Sequence, residues 1–125
     1  MTRRILATTL TIIVTGFLMQ AVAAADITGK WTASFDTQIG QQTYTYEFQV
    51  KGSEITGTAK SANGETKITD GRLDGDTVKF VENLDFQGMP LRIEYTGQVI
   101  SADEIKFTRK VADVATEELV AKRAK

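Results

Sequence analysis

Apolar and polar residues alternate one by one through most of the chain beyond residue 26. The clearest stretch places four apolar side chains on one face: Tyr44, Tyr46, Phe48 and Val50. The same alternation returns at 78–86, 91–99 and 105–107. Because successive side chains of a β-strand point to opposite sides, this period of two indicates half-buried antiparallel strands.

Turn signals separate these stretches at near-regular intervals. Asn63-Gly64 and Asp74-Gly75 are the strongest, since such pairs supply the positive φ that tight hairpins need. Weaker signals of the same kind lie at 51–53, 87–88 and 101–103. The pattern predicts eight strands joined by hairpins, at 29–36, 43–51, 54–61, 65–73, 77–86, 90–100, 104–111 and 116–123.

Two of the predicted strands break the simple rule. Alternation fails between Ile68 and Leu73, which predicts a β-bulge near Gly71. The last stretch, from Asp113, is rich in Ala, Glu, Leu and Lys and is compatible with a helix. We favour a strand there, because Leu119 and Ala121 alternate with polar residues and a last strand is needed to close the sheet.

The strand count limits the possible architectures. An open sheet of eight strands with one apolar face leaves that face wet and two edges unpaired, and closure removes both problems. We therefore predict an all-β fold, a single eight-stranded antiparallel up-and-down barrel of lipocalin-like type. Such a barrel has room for side chains or for one small ligand.

The first 25 residues have the pattern of a targeting signal. Arg3 and Arg4 precede an apolar run from Ile5 to Met19, and small residues follow up to Ala25. This is the order of a secretory signal peptide, with cleavage after Ala23 or, as we favour, Ala25. The alternative is an uncleaved membrane anchor. We expect a signal peptide at 1–25, one barrel domain at 26–125, a secreted or periplasmic location and no membrane association after cleavage.

Composition excludes several functions. The 125 residues include neither Cys nor His. This rules out catalysis by a thiolate or by a Ser-His-Asp triad, and it removes the usual zinc ligands. With 16 acidic and 15 basic residues the net charge is -1, which argues against a nucleic-acid partner. We expect no metal and no cofactor, and the oligomeric state is left open.

One local pattern resembles a known family. Gly29 and Trp31 open the first strand, and Arg123 lies near the chain end. These three residues resemble the signature of calycins, the lipocalin and avidin families. The resemblance implies that Trp31 plugs the closed end of a barrel and that Arg123 stacks on it, both as structural residues.

A second resemblance covers more of the chain. The segments 27–32, 35–40, 44–46, 107–111 and 117–123 are similar to small secreted bacterial modules, found alone or appended to secreted enzymes such as glycoside hydrolases. This resemblance implies an extracytoplasmic setting and a sugar-related role. It brings no catalytic residues.

Counting by twos places two charged residues inside the barrel. Glu82 falls on the face of Val78 and Phe80, and Arg109 on the face of Ile105 and Phe107. A buried carboxylate and guanidinium must pair or bind something polar. An internal ion pair, a ligand site at the open rim and catalysis all remain open. The candidate ligand-binding residues are Tyr44, Tyr46, Phe48, Glu82, Tyr95 and Arg109.

The functional expectation is a non-catalytic binding or accessory module for a small apolar or saccharide ligand. We expect no catalytic residue, since groups for acid–base chemistry are scarce. The two alternatives are a carbohydrate-active hydrolase that uses Glu82 and a structural envelope protein whose barrel is filled.

Overall fold

The computed structural model describes residues 26–124, so the predicted signal peptide at 1–25 and Lys125 lie outside the described residues. Within them the chain forms eight consecutive antiparallel strands that close into one barrel. None of the described residues forms a helix long and apolar enough to cross a membrane. The strands are β1 (Gly29–Thr37), β2 (Gly40–Lys51), β3 (Glu54–Ser61), β4 (Gly64–Asp74), β5 (Thr77–Phe86), β6 (Met89–Ser101), β7 (Glu104–Val111) and β8 (Ala115–Arg123).

The predicted up-and-down barrel is confirmed, with strand ends that differ from the predicted ones by up to three residues. The largest difference is at β2, which begins at Gly40 rather than at residue 43, because Gln42 and Gln41 still pair with β1. The C-terminal stretch is a strand and not a helix, and β8 pairs with both β7 and β1.

The predicted bulge is also present. Ile68 and Leu73 are both buried although they are an odd number of residues apart, so one extra residue must lie between them. The register shifts both where β4 pairs with β3 and where it pairs with β5, and Asp70 takes a positive φ of 53°. Gly71 is required there because a Cβ would lie 2.1 Å from the carbonyl oxygen of Ile55.

Trp31 and Arg123 seal one end of the barrel, which we call the closed end. The Trp31 side chain is fully buried, and its indole N–H donates to the carbonyl oxygen of Ile27 at 2.9 Å. The Arg123 guanidinium lies 4.5 Å from the indole centroid and donates to the carbonyl oxygens of Asp26, Thr28 and Ala102. Gly29 leaves room for this arginine, since a Cβ there would lie 3.0 Å from its Nη1.

Aromatic rings fill the middle of the barrel. Phe80 stacks on Tyr95 with centroids 4.3 Å apart, and Phe107 meets both rings edge-on. Gly97 accommodates Phe107, because a Cβ at that position would lie 2.5 Å from the phenyl ring. Small residues here therefore fit their neighbours and leave no empty space. The same holds for Gly57, where a Cβ would overlap the backbone of β2.

The barrel is joined weakly at one seam. Strands β1 and β8 pair only at Trp31 with Arg123 and Thr32 with Lys122. One more backbone bond, from Ala124 to Lys30, lies at the same end. Toward the other end the two strands frame a groove on the outer surface, next to Phe35 and Leu119.

Candidate functional site

Two buried charges lie inside the barrel, above the aromatic layer. Glu82 on β5 is 1% exposed and Arg109 on β7 is 4% exposed. Strand β6 runs between them and contributes Tyr95. The Arg109 Nη2 lies 3.6 Å from the Glu82 Oε1, so the two charges form a buried ion pair.

Two tyrosine hydroxyls connect this ion pair. Tyr95 donates to Glu82 Oε1 at 2.8 Å and accepts from Arg109 Nε at 2.8 Å. Tyr44 donates to Glu82 Oε2 at 3.2 Å and accepts from Arg109 Nη2 at 3.0 Å. Both carboxylate oxygens of Glu82 therefore accept a hydrogen bond from a tyrosine hydroxyl. These bonds replace the ones that the buried carboxylate cannot form with water.

Each tyrosine hydroxyl carries one proton, and this determines the direction of the hydrogen bond between Tyr46 and Tyr95. Since Tyr95 gives its proton to Glu82, the 3.0 Å contact between the Tyr46 and Tyr95 hydroxyls must have Tyr46 as donor. Burial raises the pKa of Tyr44 to about 12 and the pKa of Tyr46 and Tyr95 well above its usual value. The three phenols consequently remain protonated donors near neutral pH.

Burial also raises the pKa of Glu82, while Arg109 and the two phenols oppose that rise. The carboxyl is sealed under other side chains and does not line the cavity described below. A group in this position stabilises the arrangement of its neighbours. As a general acid it would have no path to a substrate.

A third charged residue belongs to the cluster and was missed from the sequence. Glu117 on β8 pairs with Arg109 across the β7–β8 ladder, and its Oε1 accepts a hydrogen bond from Arg109 Nη1. Its side chain is 9% exposed. Leu119 and Ala121 lie on the inward face of β8, and counting back two residues from Leu119 reaches Glu117. Counting by twos, which identifies Glu82 and Arg109, therefore also identifies this carboxylate.

A cavity of about 260 Å³ opens at the end of the barrel opposite Trp31, which we call the open end. Tyr44, Arg109 and Glu117 form its polar floor. Its walls are mostly apolar and come from six strands and from turns between strands. The wall and rim residues are Thr37, Gln38, Ile39, Gln42, Asn63, Leu84, Met89, Leu91, Ile93, Val111, Val114 and Ala115.

The predicted ligand-binding residues divide between the cavity and the core. Tyr44 and Arg109 line the cavity. Tyr46, Phe48, Glu82 and Tyr95 lie beneath it and are packed in the barrel interior. The tyrosine and phenylalanine rings of β2 stack on one another with centroids 5.5–5.9 Å apart, so their faces are covered.

Three further carboxylates lie apart from this site. Glu47, Asp85 and Glu94 are exposed on the outer surface of the barrel. Across residues 26–124 there is no group of three or more side chains that could hold a metal ion. The polar residues at the cavity floor can form hydrogen bonds and ion pairs at one end of an apolar chamber.

The architecture defines the class of protein, an eight-stranded antiparallel up-and-down barrel, and the comparisons with known proteins agree. A redesigned beta barrel, mFAP1, bound to DFHBI, is similar with a TM-score of 0.57 and 14% identity, over 81% of this chain and 98% of that one. The protein EF1p2_mFAP2b bound to DFHBI gives 0.54 and 13%, over 82% and 98%. Another redesigned beta barrel, b11L5F_LGL, gives 0.57 and 14%, over 86% and 98%.

At this level of identity the likeness concerns the fold alone. No protein-family model matches the chain. No curated protein sequence matches it either.

Proposed function

We propose that this protein is a non-catalytic binding barrel for a small, mainly apolar ligand. One observation carries the proposal: the interior is filled from Trp31 up to the Glu82 cluster and then opens into a chamber of about 260 Å³. Ligand sites are characteristically apolar concavities with a few polar groups that fix orientation. Here the polar groups are Tyr44, Arg109 and Glu117.

The rim of the chamber supports the same function. Ile39, Met89 and Val114 lie on three different turns or strand starts, and they are 55%, 66% and 63% exposed. All three line the cavity. Apolar side chains gathered around an opening provide surface for an apolar ligand to contact as it enters, whereas isolated exposed apolar residues carry no such meaning.

Two of the similar barrels are described as bound to DFHBI, so this architecture can hold a small molecule.

We also propose that the protein acts outside the cytoplasm, as a secreted or periplasmic protein. That part rests on Arg3, Arg4 and the apolar run up to Met19.

A saccharide fits this chamber less well than an apolar ligand does. Sugars stack on open aromatic faces, and the faces of Tyr46, Phe48 and Phe80 are covered by neighbouring rings. The hydrolase alternative has its proposed acid, Glu82, sealed away from the cavity. The alternative of a filled structural barrel requires the open end to be occupied, and the cavity argues against it.

The test is an NMR titration of the ¹⁵N-labelled protein with two neutral probes, 2-phenylethanol and methyl β-glucoside. We expect 2-phenylethanol to shift the amide signals of cavity residues such as Leu91 and Val111. Methyl β-glucoside should leave them unchanged. Shifts with the glucoside alone would transfer the function to saccharides, and no shift with either probe would support the filled structural barrel.

A matched pair of variants locates the binding. Ala115 is half-buried in the cavity wall, and its neighbour Thr116 points outward from the same strand. Ala115→Trp should fill the chamber and weaken 2-phenylethanol binding at least about tenfold, while Thr116→Trp should leave it unchanged. Equal binding by both variants would place the ligand elsewhere.

A further inference from the structure

We propose that the cavity selects ligands whose polar end is a protonated amine, and that Glu117 receives it. This inference rests on the proposed function, because it names the chemical class of ligand for the same cavity. It is carried by the balance of charge at the cavity floor and by the geometry of the Glu117 carboxylate.

The floor and the buried Glu82 beneath it together carry one negative charge in excess. Arg109 is the single cation that lines the cavity within residues 26–124, and two carboxylates, Glu82 and Glu117, flank it. Charges in a chamber with apolar walls are screened less than charges in water. A cation entering the cavity completes the pairing of two acids with two bases.

Glu117 has an oxygen available for such a ligand. Its Oε1 accepts from Arg109, and within the described part of the chain its Oε2 has no hydrogen-bond partner. The residue lines the cavity and is largely removed from solvent. An ammonium group that donates to Oε2 would make a charge-assisted hydrogen bond, the stronger kind in proteins.

Arg109, by contrast, is already largely paired. Three of its five N–H groups donate within the protein, one on Nε to Tyr95, one on Nη1 to Glu117 and one on Nη2 to Tyr44, and Glu82 lies 3.6 Å from Nη2. A carboxylate ligand would meet a guanidinium that is already paired and would lie beside Glu117. Like charges in this setting repel, so the floor disfavours the anionic ligands that a single buried arginine would otherwise suggest.

The size and shape of the chamber limit the rest of the ligand. Its volume of about 260 Å³ is below the roughly 300–1,000 Å³ typical of sites for drug-sized molecules. Leu84, Leu91 and Val111 provide an apolar wall above the floor. The ligand class is therefore a small primary or secondary amine with one ring or a short hydrocarbon chain.

Three probes of nearly the same size test the inference: 2-phenylethylamine, 2-phenylethanol and phenylacetate. Their affinities for the purified full-length protein are measured at pH 7 by the same NMR titration. We expect the amine to bind about ten- to hundredfold more tightly than the alcohol, which is the factor a charge-assisted hydrogen bond provides. Phenylacetate should bind more weakly than the alcohol.

Two variants on one strand assign the selectivity to Glu117. Glu117→Gln removes the charge at the cavity, while Glu118→Gln removes the same charge from the exposed outer face of β8. In Glu117→Gln the preference for amine over alcohol should fall to about threefold or less, whereas Glu118→Gln should keep the full preference. The ¹⁵N spectrum of each variant reports whether the variant is folded. If Glu117→Gln does not fold, the three probes on the unaltered protein still test whether the cavity prefers an amine.

The outcomes separate the two proposals. If the alcohol binds and the amine binds no better, the inference about charge is wrong and the apolar binding function stands. If phenylacetate binds best, Arg109 sets the ligand charge and the inference is overturned. If none of the three probes binds at the cavity, the proposed function fails and this inference fails with it.

Discussion

The two ends of the barrel each place an arginine against aromatic rings, and the two arginines have different partners. Arg123 at the closed end lies over Trp31, and its hydrogen bonds go to three backbone carbonyl oxygens. Arg109 near the open end lies close to Phe35, Tyr44 and Tyr95, and its hydrogen bonds all go to side chains.

This difference distinguishes an arginine held mainly by the backbone from one held by side chains next to the cavity. Backbone carbonyls do not titrate, so the hydrogen bonds by which Arg123 joins Asp26 and Thr28 to the last strand do not depend on pH. The partners of Arg109 include two carboxylates, and one of these, Glu117, also faces the cavity. A ligand in the cavity can therefore alter the bonds of Arg109, whereas Arg123 lies at the opposite end of the barrel.

The closed end should contribute the most to stability. Trp31→Ala should lower the free energy of unfolding by about 3–5 kcal/mol, because a fully buried large aromatic side chain leaves a cavity. Guanidinium-induced unfolding measures this loss. The binding of 2-phenylethanol to the folded fraction should not change, since the cavity lies at the other end. Stability equal to the unaltered protein would mean that Trp31 does not hold that end.

Loss of the arginine at the open end should cost somewhat less. Arg109→Met leaves Glu82 and Glu117 without their cation and should destabilise by about 3 kcal/mol, the lower end of the range for a broken buried pair, because Glu82 can relieve its isolation by taking up a proton. The double variant Arg109→Met, Glu82→Gln should lose less than the sum of the two single losses. Strictly additive losses would show that the pair is not coupled.

The arginine at the closed end should matter less than the tryptophan beneath it. Arg123→Ala removes a partly exposed cation over an indole, together with bonds to carbonyls that water can replace, and should cost about 1–2 kcal/mol. Lys122→Ala on the outer face of the same strand is the control and should cost little. A loss at Arg123 as large as that at Arg109 would erase the distinction between the two ends.

The smallest expected effect is a pH dependence that belongs to the open end. Burial raises the pKa of Glu82 in the folded state above its usual value of 4.5, so the folded state binds this proton more tightly than the unfolded state does. The resulting stabilisation is present in full below about pH 4.5 and is lost as the pH rises through the folded pKa. Unfolding measured between pH 4 and pH 7 should show the stability of the unaltered protein falling relative to Glu82→Gln, and a rise would give the shift the opposite sign.

Alternation of side chains predicted the interior more fully than it predicted the site. The parity of β5 and β7 alone predicts that Glu82 and Arg109 point inside, and the structure joins them directly and through Tyr44 and Tyr95. The bulge at Gly71 followed from the one place where alternation fails. These features depend only on which face of a strand a residue occupies, and that is what a period of two records.

The cavity could not be predicted in the same way. Ile39 and Val114 lie in turns and Met89 begins a strand, where a residue's direction follows the local backbone rather than the period of two. A small residue in a strand is no guide to the cavity either, because Gly57 accommodates the close backbone of β2 and does not leave space. Which part of a barrel stays empty depends on how all the inward side chains fill it together, and no single stretch of sequence contains that information.

The weak seam between β1 and β8 sets an order of events as the chain folds. Every other pairing joins strands that follow each other in sequence, so each can form early as a local hairpin. The pairing of Trp31 with Arg123 brings together the two ends of the domain and bears the largest loop-closure entropy. We therefore expect closure of the seam to be the last step of assembly and its opening the first step of unfolding. Backbone amides of β1 and β8 near the groove should then exchange with solvent sooner than those of β5 and β6.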